Sequence, residues 1–411
     1  MAQPPDRAAL RTLERPFLAV DRLLRRFIPD NVNPLMQPGA VANTLLLIAT
    51  VSGVLVLFWY VPSVHQAHSS LELARASLLG QWMRSLHRYS SDGCIFFVAL
   101  HSVRSLAEGK YAGPRWLAWV TGLVATSMVW LVGWLGYWLV WDERARQVAL
   151  GTAAMADQLP IFIEPLSRSF LTDGSLNTFL FFVVFFIHML LPLAMAIALW
   201  IHITRLSRPR YLCGRTMTAW LMGSLLVMGT VHPALSAAPA RMLHTPGPIT
   251  VDGWYLLPMA LTDRLSGGAL WAICLVAGLV LFSIPWGLVR KAPVPSVVDV
   301  PKCNNCQKCF NDCPYDAISM VPRTDGRNFL QQALVNPDQC TGCGICAGSC
   351  DSSGVGLPWL TAPSVRRALE PRIDAHPGAT VVFGCALSAA GSLTVDDDTG
   401  LVAGMSHTLM V

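Results

Sequence analysis

Hydrophobic residues along this chain fall into long, nearly unbroken stretches rather than the one-sided periodicity of a half-buried soluble element. Six stretches, about 41–61, 80–107, 116–141, 176–206, 217–234 and 268–290, meet or approach the ~20 apolar residues that a helix needs to cross a bilayer core. The pattern predicts six membrane-spanning helices, the fifth being the shortest. Before residue 41 the chain carries Arg7, Arg11, Arg15, Arg22, Arg25 and Arg26 and no apolar core, which predicts a surface arm rather than a cleavable signal. After residue 290 a Pro-rich spacer, Lys291 to Pro301, ends the apolar region and opens a polar, cysteine-rich one. Four regions follow: an arm (1–40), a membrane domain (41–292), a cysteine-rich domain (293–360) and an extension (361–411) to which no fold is assigned.

Composition agrees, because 53% of the 411 residues are hydrophobic and only 13% are charged, too apolar for a soluble globule of this size. Loop charges orient the helices. The basic arm, Arg104, Lys110 and Arg115, then Arg205, Arg208, Arg210 and Arg215, then Arg290 and Lys291 all fall on one side of a six-helix arrangement. By the positive-inside rule that side is cytoplasmic, with both termini and the cysteine-rich domain on it. The net charge of +5 is explained by this bias and gives no reason to expect nucleic acid.

Eight of the twelve cysteines form two C-x2-C-x2-C-x3-C runs, Cys303, Cys306, Cys309 and Cys313 and then Cys340, Cys343, Cys346 and Cys350. Three thiolates at two-residue spacing wrap one corner of an iron–sulfur cubane, and the fourth reaches the neighbouring cluster in two-cluster ferredoxins. The expected sets are therefore Cys303, Cys306, Cys309 and Cys350 for one [4Fe–4S] cluster and Cys340, Cys343, Cys346 and Cys313 for the other. Zinc prefers two separated pairs of ligands and fits this spacing poorly. Cys94, Cys213 and Cys274 stand alone in or beside spans and are expected to be small apolar fillers.

Two spans each carry histidines fourteen residues apart, His87 and His101 in the second, His188 and His202 in the fourth. Fourteen residues make nearly four helical turns and rise about 21 Å, so each pair lies on one face with one member towards each membrane surface. Two such helices face to face would clamp two haems, each with one imidazole from either helix. Ionisable groups inside a membrane are costly, and four in a repeated spacing point to function.

The segments Ser85-Leu86-His87-Arg88-Tyr89-Ser90, Leu100-His101-Ser102-Val103-Arg104 and Trp119-Val120-Thr121-Gly122 resemble cytochrome b of the bc and b6f complexes over its first six helices. The cysteine-rich segment resembles bacterial two-cluster ferredoxins over about fifty residues, with Asp351 where a proline usually follows the last cysteine. The resemblance implies an all-α transmembrane di-haem helical bundle with a C-terminal α+β ferredoxin-type domain. It implies that His87 and His188 hold an outer haem and His101 and His202 an inner one, that Arg88 and Arg104 meet haem propionates, and that Gly53, Gly133 and Gly136 admit the porphyrin. The ferredoxin segment stands where the family has helices beyond the sixth, and no cysteine near Gln37 suits a covalently attached third haem.

The loop Pro248-Ile249-Thr250-Val251-Asp252-Gly253-Trp254-Tyr255 is similar to the family's Pro-Glu-Trp-Tyr quinol motif, with Asp252 and Gly253 in place of Pro and Glu. Gly253 cannot take the quinol proton that the family's glutamate takes, and Val140 replaces a proline of the same pocket. Asp252 is the candidate proton acceptor, and His65 and His68 are candidate relays in another outer loop. The expectation is an electron-transfer subunit of a quinone-linked oxidoreductase complex, multi-pass in the cytoplasmic membrane and embedded in lipid. It would join a cytoplasmic dehydrogenase or a hydrogenase- or heterodisulfide-reductase-like iron–sulfur or flavin subunit to two [4Fe–4S] clusters, two haems b and the quinone pool. The segment Thr380–Cys385 weakly resembles the start of the small iron–sulfur subunit of the heterodisulfide-reductase type. Alternatives are a bc-type quinol-oxidising component with a Rieske partner, and an electron wire and anchor without its own quinone site. Direction of flow, the partner, the potentials and assembly as a homodimer stay open.

Overall fold

The computed structural model describes residues 32–161, 163–204, 209–244, 249–262, 264–288, 294–359 and 361–382, together with short pieces before residue 30 and residues 402 and 408–410. The arginines of the expected arm, Arg205, Arg208, Pro248, Arg290, Lys291 and Cys385 lie outside the described residues.

Each expected span forms a helix: α1 (Pro38–Val56), α3 (Leu78–Ala107), α4 (Trp116–Val140), α6 (Thr178–Ile203), α7 (Arg215–Val231) and α9 (Gly267–Gly287). Between them sit α2 (Ala67–Ala74), α5 (Glu143–Ala156) and the short α8 (Met259–Thr262), which the apolar pattern did not announce because they are polar loop helices. The sequence supplies the starts. Ser77, Asn177 and Ser266 turn their side-chain oxygens onto the first free N–H groups of α3, α6 and α9, and Pro38 opens α1 where its missing N–H costs nothing. The chain leaves α4 through Trp141, whose φ of 55° is left-handed, and Asp142 then caps α5 by accepting from Ala145 N at 3.0 Å.

The six expected spans are not equally apolar. Among the described residues four helices are by length and composition long and apolar enough to cross a membrane, Pro38–Val56, Gly113–Val140, Thr178–Ile203 and Gly267–Gly287. Helix α3 carries Arg84, Arg88, Asp92 and Arg104, and α7 has only 17 residues, ~25 Å at helical rise. Neither is left to face lipid alone, because α3 packs along α1 and α7 packs on α3. The charges of α3 are answered by protein: Arg84 by Glu72 at 3.2 Å and Ser236 at 2.7 Å, Arg88 by Asp92 at 2.7 Å, Arg104 by Glu108 at 2.8 Å. Helix α6, by contrast, exposes Phe179, Phe186, Leu190, Leu193, Ile197 and Trp200, the apolar surface expected of a lipid-facing helix.

The cysteine-rich domain is small. Antiparallel β2 (Ile318–Pro322) and β3 (Gln331–Val335) pair Ile318 with Val335 and Met320 with Ala333, while β1 (Val297–Val298) pairs with β4 (Val355–Gly356). Its core is Cys309, Cys313, Ala317, Ile318, Ala333, Cys340, Cys346 and Val355. Half of that core is cysteine, so the domain depends on whatever the cysteines bind. In the extension, Thr361 caps helix α10 (Ala362–Ala375) with a reciprocal bond to Ser364, and β5 (Thr380–Val382) runs parallel to β6 (Thr408–Met410).

Asp142 is fully buried and joins three pieces of chain at once. Besides capping α5 it pairs with Arg144 at 2.8 Å and accepts from Ala237 N at 2.9 Å. Asp142→Ala strands a mostly buried guanidinium and two N–H groups, and should cost about 3 kcal/mol. The check is a thermal-unfolding curve of the detergent-solubilised chain, with the exposed Arg366→Ala as the silent comparison.

Candidate functional site

Helices α1 and α3 run antiparallel and lie unusually close, as do α4 and α6, and the same device permits both. A Cβ on Gly53 would sit 2.7 Å from His87 Cε1, and one on Gly39 would sit 3.3 Å from His101 Cε1. On α4, a Cβ at Gly122 would meet His202 Cε1 at 3.0 Å and one at Gly136 would meet His188 Cε1 at 3.2 Å. Each histidine thus lies over a glycine of the neighbouring helix. The carbonyl one turn before that glycine faces the ring: His87 Nδ1 bonds Ala49 O at 2.7 Å and His188 Nδ1 bonds Val132 O at 3.0 Å. His202 Nδ1 meets Thr121 Oγ1 at 3.2 Å and the carbonyl of Ala118. With Nδ1 engaged, these rings carry their hydrogen there and keep Nε2 as a metal donor.

The rings meet in the pairs that the resemblance implies. His87 and His188 have centroids 6.2 Å apart, and His101 and His202 have centroids 6.4 Å apart. An iron ~2 Å from each nitrogen, with each ring centre ~1.1 Å further on, calls for about 6.3 Å. Both pairs therefore fit a six-coordinate haem iron.

Glycines fix what the sequence reading missed. Of the glycines expected to admit the porphyrin, Gly53 and Gly136 stand opposite histidines, and Gly133 does not. Its missing Cβ makes room for the ring of Tyr255, which would otherwise lie 2.1 Å away, so Gly133 is a packing glycine of the outer loop. Gly39 and Gly122 complete the set, and their signal was present: Gly39 and Gly53, like Gly122 and Gly136, are spaced by the histidines' own interval. Arg88 and Arg104, expected at propionates, are each engaged by protein carboxylates, Asp92 and Asp252 for the first and Glu108 for the second. Arg104 also donates to the Leu35 carbonyl.

At the end of the bundle that holds His87 and His188, Asp252 organises its loop. Its Oδ1 accepts from the backbone N–H groups of Trp254, Tyr255 and Leu256 at 2.8, 2.7 and 3.2 Å, and its Oδ2 accepts from Tyr137 and from Arg88 at 3.1 Å. Burial pushes this carboxyl up, yet the Tyr137 hydroxyl, the backbone donors and Arg88 outweigh it and hold it below the ordinary aspartate value. A carboxylate so occupied is a fastener and a poor proton acceptor. The loop is further fixed by Tyr255, buried against Gly133 with its hydroxyl on Ser91. Gly253 faces open space. Asp92, which no periodicity in the sequence singled out, completes this cluster through Arg88. His68 bonds Ala237 O at 2.9 Å, and His65 is exposed.

In the small domain, Cys313, Cys340, Cys343 and Cys346 line one void with Ser296, Tyr315 and Ile318. Cys303, Cys306, Cys309 and Cys350 line the other, so the structure brings together the exchanged sets that the spacing predicts. Among the described residues no three His, Cys, Asp or Glu side chains converge on a single-ion site. The cysteines surround a space instead, as a cubane requires. Donors aimed at sulfur suit thiolates: Gly354 N to Cys350 at 3.1 Å, Ala317 N to Cys313 at 3.3 Å, Ser296 Oγ to Cys346 at 3.2 Å. The duplicated loops share left-handed positions. Asn305 and Gln307 have φ of 60°, and their counterparts Gly342 and Gly344 have 64° and 79°. Asp351, standing in place of the usual proline, pairs with Lys308 at 2.5 Å across the first cage.

Comparison with known proteins fits this geometry. The family described as cytochrome b/b6/petB matches residues 23–210, and the 4Fe-4S dicluster domain matches residues 302–353. Cytochrome b6 of the alga Gracilaria tenuistipitata var. liui is 30% identical over 142 residues, covering 34% of this chain and 66% of that protein, just under two thirds of its length. A solved structure described as a hyperthermophilic respiratory Complex III covers 68% of this chain and 81% of its own, with 20% identity and a TM-score of 0.47. The chain thus carries a region similar to the cytochrome b/b6 family, with helices apolar enough to cross a membrane, and a second region similar to the 4Fe-4S dicluster domain. Haem b and iron–sulfur clusters are the cofactors of those two domains.

Gly53→Val should push His87 aside and release about half of the bound haem, by haem-to-protein ratio, and Gly122→Val should act likewise through His202. Gly223→Val, which enters open space, should retain all of it. The outer loop makes a pH prediction. Because Asp252 is held below its ordinary value when folded, its contribution is complete above about pH 4 and fades only as pH falls through the folded value. Stability of the outer loop, followed by hydrogen exchange at residues 252–256, should be flat from pH 5 to 8. Asp252→Asn should lower protection across that whole range.

Proposed function

We propose that this chain is the membrane subunit that passes electrons between a cytoplasmic redox partner and the quinone pool, through two [4Fe–4S] clusters and two haems b. In this reading His87 and His188 hold the outer haem, His101 and His202 the inner one, and the eight cysteines hold the clusters in the exchanged sets. The observation that carries it is the stacking of two histidine pairs, each at haem-iron spacing, along one bundle whose chain continues into two cysteine cages. Haem and cubane supply one-electron storage when bound. The protein's own work is to hold the rings by Nδ1, exclude water, and keep the haem-level charges of α3 paired. Crossing between the two haem levels moves charge through the membrane field, worth ~2.3 kcal/mol per electron at 100 mV, so the field can drive or oppose the exchange. The bias of Arg104, Lys110, Arg115, Arg210 and Arg215 to one end supports a cytoplasmic position for that end and for the cages.

A second reading, an electron wire and anchor without a quinone site, draws support from the outer loop. Asp252 is occupied and Gly253 has no side chain, so proton-coupled quinol chemistry of the bc type lacks its carboxylate there.

Purified chain should contain two haems b and eight cluster irons, and a haem ratio near one would refute the paired-histidine assignment. The two readings separate by titrating quinone into the cluster-reduced chain and watching haem oxidation. Oxidation that saturates with quinone supports a site, and none supports the wire. Inhibitors of the outer pocket should leave that oxidation largely intact, and Gly253→Glu should not raise it.

A further inference from the structure

We infer that the cage of Cys313, Cys340, Cys343 and Cys346 is the one next to the membrane bundle, seated by the Arg115–Tyr315 contact at the end that holds His101 and His202. The cage of Cys303, Cys306, Cys309 and Cys350 is then the one that meets the redox partner. This ordering rests on the reading of the chain as an electron-transfer subunit.

Arg115 closes the short turn Gly113–Arg115 that leads into α4. Its guanidinium donates to the Tyr315 hydroxyl, and its central carbon lies 4.9 Å from the centroid of the same ring. One side chain thus makes both a charge-assisted hydrogen bond and a cation–π contact to one tyrosine. Tyr315 follows Cys313 by two residues and lines the void of that cage, and it has no place around the other. On the membrane side, Arg115 precedes Gly122 by two helical turns, ~10 Å, and Gly122 is the glycine under His202.

The exit of the membrane domain lies at the same place. Trp119 Nε1 donates to Leu281 O at 2.9 Å, and Trp116 and Trp286 have ring centroids 5.6 Å apart. The last turns of α9 therefore lie beside the start of α4, where Arg115 stands. Each cage exposes one cysteine and one apolar side chain, Cys306 and Phe310 at the first and Cys343 and Ile345 at the second, and the first adds the exposed Lys308–Asp351 ion pair. The transfer breaks and forms no bond. One electron leaves a reduced cluster for ferric haem, or returns the other way, and no proton is required.

Arg115 and Tyr315 are positioning residues, and two measurements test them on the full chain. A photoreactive phenylalanine analogue placed at position 315 should crosslink to the 112–119 peptide, whatever the clusters do. Crosslinks confined to other regions would overturn the seating. In half-reduced protein, paramagnetic resonance should show one cluster signal broadened by the inner haem. Cys343→Ser should change that broadened signal and Cys306→Ser should not; the reverse overturns the order. Tyr315→Leu should remove the broadening and slow cluster-to-haem transfer at least about tenfold with potentials unchanged, while Tyr315→Phe, which keeps the ring, retains most of both. If unmodified protein exchanges no electrons between clusters and haems, the functional reading fails, and the crosslink still decides the seating.

Discussion

Where His87 lies over Gly53, its ring occupies space that any side chain would claim, and its Nδ1 holds the Ala49 carbonyl one turn away. The contact is short-range and unforgiving, and it recurs with His188 over Gly136 and His202 over Gly122. It ties helix spacing to ring orientation. A wider gap would break the carbonyl bond, and a narrower one is forbidden by the ring itself. The contact fixes how closely each antiparallel pair approaches, and across the bundle the rings it orients stand 6.2 and 6.4 Å apart. The remaining helices, α7 on α3 and α9 beside α4, cover this frame.

Much of the frame could be read from the chain. The fourteen-residue interval of the histidines gives helix, face and depth at once, and the cysteine spacing gives the exchange of Cys313 and Cys350 between cages. The glycines were read by analogy rather than by interval, which selected Gly133 and passed over Gly39 and Gly122. Asp252 was legible as a loop carboxylate, but its five donors come from three separate parts of the chain. Whether it is a free base or a fastener is decided only when those parts meet. The same holds for Tyr315, whose partner Arg115 lies 200 residues away, whereas Arg88 and Asp92 are a local pair four residues apart on one helix.

The small domain shows duplication without equivalence. Both loops need two left-handed residues between their cysteines, which Gly342 and Gly344 meet without strain and Asn305 and Gln307 meet at a steric cost. Asp351, in place of proline, adds an ion pair to the strained half. The two cages are built by one spacing but differ in their left-handed residues and in the exposed ion pair.

Helix α3 has a further consequence, for the time at which the chain is made. Arg84 is held by Ser236 and Arg88 by Asp252, partners that are synthesised about 150 and 164 residues later. When α3 leaves the ribosome, Arg88 has only Asp92 within reach and Arg84 only Glu72. A charge at mid-bilayer costs roughly 2.5–3.5 kcal/mol during insertion, and one near the end of a span, as these two are, costs less but still opposes it. The helix that carries two of the four histidines is therefore a reluctant entrant to the membrane, retained by α1 early and secured only when the loop before α9 has been translated. Assembly of the bundle finishes from its far end, and the haem-level charges of α3 reach their final partners last.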